Sequence, residues 1–236
     1  DYFDTGRFQA DLARLVAFPT ESQEPHGAPH LRAYLDEAMI PMLQAMGFAC
    51  RIHANPAGAG PILTAERIED PALTTVLTYG HGDVIRAQTD QWRAGLTPFT
   101  LTEEGERLYG RGSADNKCQH LINLRAMAAL IEAEGRLGFN AKVLIEMGEE
   151  RGSPGLRDFC EAHKDLFSAD VFIASDGPRI HPDKPTIFMG SRSVFNFTMR
   201  LDSHAGGHHS GNWGGLLANP GIILAHAIAA ITSSTG

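Results

Sequence analysis

The chain is poor in cysteine, in basic charge and in long apolar runs, and each shortage excludes something. Its three cysteines, Cys50, Cys118 and Cys160, are odd in number, widely separated and form no Cys-x-x-Cys pair. That excludes a disulfide framework and a cysteine-based zinc site. Unpaired thiols suit a reducing compartment. The start, Asp1-Tyr2-Phe3-Asp4, has no basic segment followed by an apolar one, so the expected setting is cytoplasmic. Twenty basic residues against 28 acidic leave a formal charge of −8, the wrong sign for a nucleic-acid or anionic-membrane partner. The most apolar stretch, 216–231, is broken by Asn219-Pro220-Gly221 and His226; it is too short to span a bilayer. Glycine and proline recur without a period, against a collagen-like or low-complexity chain. Histidine is abundant, with eleven in 236 residues, and asks for a use.

The periodicity predicts an α/β protein. Phe8, Leu12, Leu15 and Val16 recur at helical spacing up to Pro19-Thr20, and Leu31, Leu35, Met39, Met42 and Leu43 share a face of a second helix, 29–46. Pro41 inside it predicts a kink or break. Short extended pieces are expected at 48–53 and 61–65, and a buried strand at Thr74–Tyr79. Next come a helix over 117–133, a second buried strand at Val143-Leu144-Ile145, a helix over 153–164 and a third strand at 171–174. Strands alternating with helices imply a largely parallel sheet. From Ser193 the texture changes: Val194, Phe195, Phe197 and Met199 read as a strand, followed by a Gly/His loop and an apolar helix over 216–231. This predicts a second unit.

Chemistry-bearing residues gather where the predicted strands end, the edge at which open α/β sheets bind ligands. Strand 74–79 leads to His81-Gly82-Asp83, strand 143–147 to Glu149-Glu150, and strand 171–174 to Ser175-Asp176. The loop 109–117 carries Asp115 into the long helix. Each has an ordinary alternative. His-x-Asp occurs as a hydrogen-bonded surface pair, Glu149-Glu150 as a solvated helix start, Asp115 as an N-cap, and Asp176 as a turn residue. Together, at successive strand ends, one imidazole and several carboxylates suit a divalent cation, with Asp83 holding one nitrogen of His81 while the other is free to coordinate. A nucleotide loop at Gly110-Arg111-Gly112 is disfavoured because Asp115 follows where phosphate would sit.

Five blocks carry a family resemblance: His81-Gly-Asp83-Val; Gln91-Trp92 with Pro98-Phe99; Leu108-Tyr-Gly-Arg-Gly-Ser-Ala-Asp-Asn-Lys117; Glu146-Met-Gly-Glu-Glu-Arg-Gly-Ser153; and His209-Ser-Gly with Gly214-Gly and Asn219-Pro220. They resemble the dinuclear zinc peptidases and deacylases that include carnosinase-type dipeptidases, acetylornithine deacetylase, succinyl-diaminopimelate desuccinylase, aminoacylases and glutamate-releasing carboxypeptidases. The dipeptidase-like members are nearest in the fourth and fifth blocks. The resemblance implies a catalytic domain with a largely parallel mixed sheet flanked by helices, its N-terminal part at 1–190. It also implies the beginning of a smaller α+β lid or dimerisation domain at 191–236.

The resemblance further implies two divalent metals, zinc with cobalt or manganese as alternatives. Asp115 would bridge them, His81 and Asp176 would complete one, and Glu150 would belong to the other. Asp83 would orient His81, and Glu149 would act as general base on a water between the metals. His209 would stabilise the substrate carbonyl oxygen, in dimeric members across the subunit boundary. The bond after Asp115 is expected to be cis. The implied substrate is a small peptide or N-acyl amino acid, and the implied assembly a homodimer through the lid. Two departures stand out. Cys118 occupies a position where the family has Gly, and is expected to be a small buried side chain. No residue after 220 resembles the family's last ligand of the second metal, so a non-catalytic or incomplete zinc-binding member is the alternative reading. His204 and His208 flank His209 in a Gly-rich loop that is not expected to form a separate metal site.

Overall fold

A computed structural model of the chain describes residues 2–177, 179–181, 183–190, 195–233 and 235. They fall into two compact units, Asp1–Thr186 and Ile187–Gly236.

The first unit is a mixed α/β layer structure. Its sheet contains β1 (Ala49–His53), β2 (Ile62–Arg67), β3 (Thr75–His81), a later strand Asn140–Glu146 and a last strand Val171–Ala174. A separate hairpin, β4 (Thr102–Glu104) and β5 (Arg107–Tyr109), lies between, which makes the later strands β6 and β7. The sheet order is β1-β2-β6-β3-β7. β3 runs parallel to both β6 and β7, whereas β2 pairs antiparallel with β6 and β1 with β2. Parallel pairing aligns the C-terminal ends of β6, β3 and β7, with His81 opposite Glu146. The largely parallel mixed sheet expected from the sequence is therefore present. The apolar pattern of the sequence gives no sign of the β4–β5 hairpin.

Alternation explains the two-sided burial of β6. Val143 and Ile145 join a core with Leu12, Leu15, Leu35, Met39, Leu121 and Leu124, while Leu144 packs with Ile62, Leu77 and Phe159. The first core is supplied by α1 (Arg7–Val16), by a helical run from residue 28 to 45, and by α4 (Lys117–Glu134); Phe159 comes from α5 (Leu156–Ala162), with α6 (Lys164–Phe167) following. Cys118 is half-buried against the first core, and all three cysteines are free thiols.

The run from 28 to 45 carries the expected irregularity as a widened turn rather than a break. α2 (Ala28–Ala33) passes into a π turn (Tyr34–Met39) and then α3 (Ile40–Ala45). Pro41 has no N–H to give the Glu37 carbonyl one turn back. The freed carbonyl instead accepts from the Arg14 guanidinium of α1. The turn is thus stitched to its neighbour while Tyr34, Leu35, Ala38 and Met39 stay buried.

In the second unit the expectation of a strand from Ser193 is corrected. Val194 lies outside the described residues, and 195–200 make no ladder. A strand needs a partner for its N–H and C=O groups, and none pairs with this segment among the described residues. The unit contains α7 (Ser210–Trp213) and α8 (Pro220–Ile231). α8 starts later than 216 because Asn219 caps it, accepting from the Gly221 and Ile222 N–H groups, with Pro220 at the first position. Among the described residues no helix is long and apolar enough to cross a membrane.

Candidate metal centre

Four chain segments converge at the C-terminal edge of the parallel strands. β3 ends on His81, and the loop before α4 brings Asp115 to 3.0 Å from His81 Nε2 through its Oδ1. Asp176, two residues past β7, has its Oδ2 at 3.8 Å from the same nitrogen, and Glu149 Oε2 is also at 3.8 Å. The donor atoms of His81, Asp115 and Asp176 all lie within 4.8 Å of one another, and among the described residues no other such group of three occurs. His81 Nδ1 faces the Asp83 carboxylate at 3.3 Å and its backbone oxygen at 3.1 Å. With Nδ1–H donating there, Nε2 is the nitrogen left for a cation among the carboxylates.

Asp83 does more than orient an imidazole. Its Oδ1 accepts from the Glu149 N–H at 3.2 Å and its Oδ2 from the Glu150 N–H at 3.1 Å. One buried carboxylate therefore anchors both His81 and the 3-10 turn Glu149–Arg151. Gln23 adds a bond to the Glu150 carbonyl at 2.8 Å, and the Thr20 hydroxyl donates to the Gly82 carbonyl at 2.7 Å. Below them, the buried Glu146 accepts from the Tyr79 and Ser153 hydroxyls at 2.7 and 2.8 Å, tying the end of β6 to the far end of the Glu149 loop.

Asp115 is not a helix cap: that position belongs to Asn116, and the Asp115–Asn116 bond is cis as expected. Asn116 is fully buried. Its Oδ1 accepts from the His81 N–H at 3.3 Å, and its Nδ2 donates to the Ser175 carbonyl at 2.6 Å and to Asp176 Oδ1 at 3.1 Å. Lys117, also buried, donates to the carbonyls of Leu15 and Phe18 at 3.0 and 2.7 Å, and burial pushes its ammonium down to about 7. Sequence reading missed Asn116 and the flanking glycines. A Cβ on Gly80 would lie 2.6 Å from His120 Cβ, and one on Gly82 would lie 2.5 Å from Tyr34 Cε1. Both are bare because helices pack directly behind the strand that carries His81.

The electrostatics report too much negative charge in a partly dry place. Burial works against protonating His81, but hydrogen bonds to Asp115 and Asp83, with the charge of Asp176, lift it to about 11. Asp115 is held low, chiefly by His81. Burial, reinforced by the charge of Asp115, pushes Glu150 up to about 7, and Glu149 is raised by burial with Asp176, Asp83 and Asp115 adding to it. Like charges this close favour a cation.

His81, Asp115 and Asp176 are thus brought together, with Glu149 beside them and Asp83 behind. Glu150 joins through its backbone and its charge but lies outside the group of three. His209 belongs to the second unit, where its Nδ1 accepts from the Gly211 N–H at 3.1 Å and caps α7. His204 stacks edge-on against His208 at 4.4 Å between ring centres, and His208 lies 5.3 Å from Trp213. These are packing contacts.

Fold and site together define an α/β protein with a candidate cation-binding edge built of one imidazole and several carboxylates. The chain belongs to Peptidase family M20/M25/M40, whose pattern matches residues 77–206. It is 32% identical over 233 residues to the human Beta-Ala-His dipeptidase, covering 98% of this chain and 43% of that one. It is 31% identical over 233 residues to the cysteinylglycine-S-conjugate dipeptidase of Corynebacterium striatum, covering 97% and 49%. The crystal structure of human carnosine dipeptidase 1 superposes with a TM-score of 0.71 at 31% identity, over all of this chain and 52% of that one. The chain spans less than half the length of these two curated relatives.

Proposed function

We propose that this chain belongs to a metal-dependent hydrolase that cleaves the amide bond of a dipeptide or an N-acyl amino acid. The observation that carries the reading is the triplet His81, Asp115 and Asp176, with Nδ1 of His81 held by Asp83 and Nε2 turned toward the carboxylates. Imidazole nitrogen with carboxylate oxygens is a donor set that fits zinc, and also cobalt or manganese. In this reading Asp115 would serve both of two ions, His81 and Asp176 would hold one, and Glu150 the other. Divalent ions supply, when bound, a water whose pKa falls to about 7 and a Lewis acid for the carbonyl. Glu149, at the rim, would act as the general base, taking a proton from the attacking water and passing it to the leaving amine. Its carboxylate is 38% exposed at the rim of the site, so it reaches both the centre and an incoming substrate. Residues 1–190 form the catalytic part. Residues 191–236 begin a lid, from which His209 donates to the carbonyl oxygen and through which two copies pair. The curated relatives' names, both dipeptidases, support the substrate class.

The test is a Glu149→Ala variant of the full-length protein, assayed on dipeptides and N-acyl amino acids and measured for metal by elemental analysis. Turnover should vanish while the metal content stays near two equivalents. Near-normal hydrolysis by the variant sinks the general-base role. One equivalent or none in an inactive wild type favours the non-catalytic alternative.

A further inference from the structure

Behind the metal-facing residues lies a buried pair that the proposed chemistry does not use. His120, on α4, has its Nδ1 3.0 Å from Asn116 Oδ1, and its Nε2 2.6 Å from the hydroxyl of Tyr34 in the π turn. All three side chains are at most 2% exposed, so water cannot replace any of these bonds. We propose that His120, backed by Tyr34, is a positioning residue: it holds the Asn116 amide in the sense that the His81 N–H requires and thereby aims Asp176 at the metal. The inference rests on the metal-hydrolase reading above.

The donors and acceptors allow one arrangement. The His81 backbone N–H can only donate, so the Asn116 atom it meets is the oxygen. His120 Nδ1 faces that same oxygen and must carry a hydrogen. Its imidazole is neutral, because burial pushes it down to about 3. Nε2 is then an acceptor, and the Tyr34 hydroxyl donates to it. The Asn116 NH2 is left for the Ser175 carbonyl and Asp176 Oδ1. With one oxygen of Asp176 so occupied, the other is the one that faces His81 Nε2. A reversed amide would set its oxygen against two acceptors and its NH2 against two donors.

The backbone is shaped for this chain of bonds. Gly80 and Gly82 leave the space that His120 and Tyr34 fill on either side of His81. Asn123, one turn further along α4, donates to the Ser175 hydroxyl at 2.8 Å and holds the strand end from the same helix face. The chain of bonds from Tyr34 through His120 and Asn116 ends on Asp176, a candidate metal ligand.

The experiment titrates zinc into the metal-free full-length protein against a fluorescent chelator, and records the visible absorption of the cobalt form. Wild type is compared with His120→Leu, His120→Asn and Tyr34→Phe, each checked for folding by circular dichroism. Removing partners that orient metal ligands typically costs about 10–100-fold in affinity, and that loss is expected for His120→Leu. His120→Asn keeps an N–H near the Nδ1 position and is expected to recover most of it. Tyr34→Phe frees the imidazole to exchange tautomers, and should weaken zinc binding and shift the cobalt bands. A folded His120→Leu that binds zinc within about twofold of wild type, with unchanged cobalt bands, overturns the proposal, as does a His120→Asn no better than Leu. If His120→Leu does not fold, Tyr34→Phe decides by the same criterion. Failure of wild type to bind zinc at all overturns the metal reading itself, and this inference with it, in an arm that involves no variant.

Discussion

Asp83 concentrates more of the site than any other side chain. It is fully buried and takes one bond from an imidazole and two from backbone N–H groups of the Glu149 turn. Asp83→Ala strands those two N–H groups, at about 1–3 kcal/mol each when buried and unsatisfied. The variant should therefore lose about 2–6 kcal/mol in urea unfolding of the metal-free protein, and bind zinc about 10–100-fold more weakly. Loss of metal affinity without loss of stability would show that the backbone bonds matter little. The spacing of His81 and Asp83 made the first of these roles legible, because residues two apart on extended chain point the same way. The second depended on β6 lying next to β3 in the sheet, which no local pattern states. Asn116 and His120 were missed for the same reason. Their i, i+4 spacing was visible, but as polar residues near a helix start they looked ordinary until Ser175 and Asp176 arrived from nearly sixty residues away.

At the scale of elements, apolar periodicity located α1, α4, β3 and β6, and Pro41 marked the π turn. It did less well where hydrogen-bonding partners decide. Phe195, Phe197 and Met199 alternate like a strand, yet without a ladder the segment stays irregular. β7 is as apolar as β6, but it lies at the sheet edge with Val171, Phe172 and Ile173 exposed. The link between β2 and the approach to β6 carries its own prediction. Glu69 accepts from the Leu137 and Gly138 N–H groups at 2.8 and 2.9 Å and from Arg67 at 2.9 Å. The Leu137 bond chiefly, with Gly138 and Arg67, holds its carboxyl below the ordinary range against the opposing effect of burial. A depressed folded pKa stabilises above the unfolded value, and that contribution is lost as pH falls through the folded one. Glu69→Gln should thus be less stable than wild type at pH 7, with the gap closing as the pH is lowered through the carboxylate range. Urea midpoints across that series check it, and a gap independent of pH would mean the charge plays no part.

For the whole molecule, the proposed centre gathers Asp83, Asp115, Glu149, Glu150 and Asp176 around one imidazole, five of the 28 acidic residues of a chain with net charge −8. A bound dication should therefore stabilise the fold as well as serve the proposed hydrolysis. At a hundredfold excess over Kd, a ligand of the native state adds about 2.7 kcal/mol. For a chain of this length that is a rise of about 5–10 °C in Tm. Calorimetry with a chelator and then with added zinc measures it; equal transitions would argue against a native-state metal site.

The sequence by itself determined the α/β layering, the strands that end in charged residues and the family, because periodicity, turn residues and contiguous motif blocks are local properties of a chain. Only the tertiary structure decided which strands are neighbours. That adjacency put His81, Asp115 and Asp176 within 4.8 Å of one another and gave Asp83 two tasks. It also made Asn116, His120 and Tyr34 parts of one hydrogen-bonded chain. The physical reason is burial: away from water each donor must find an acceptor from whatever segment packs against it, and sequence distance has no say in which segment that is.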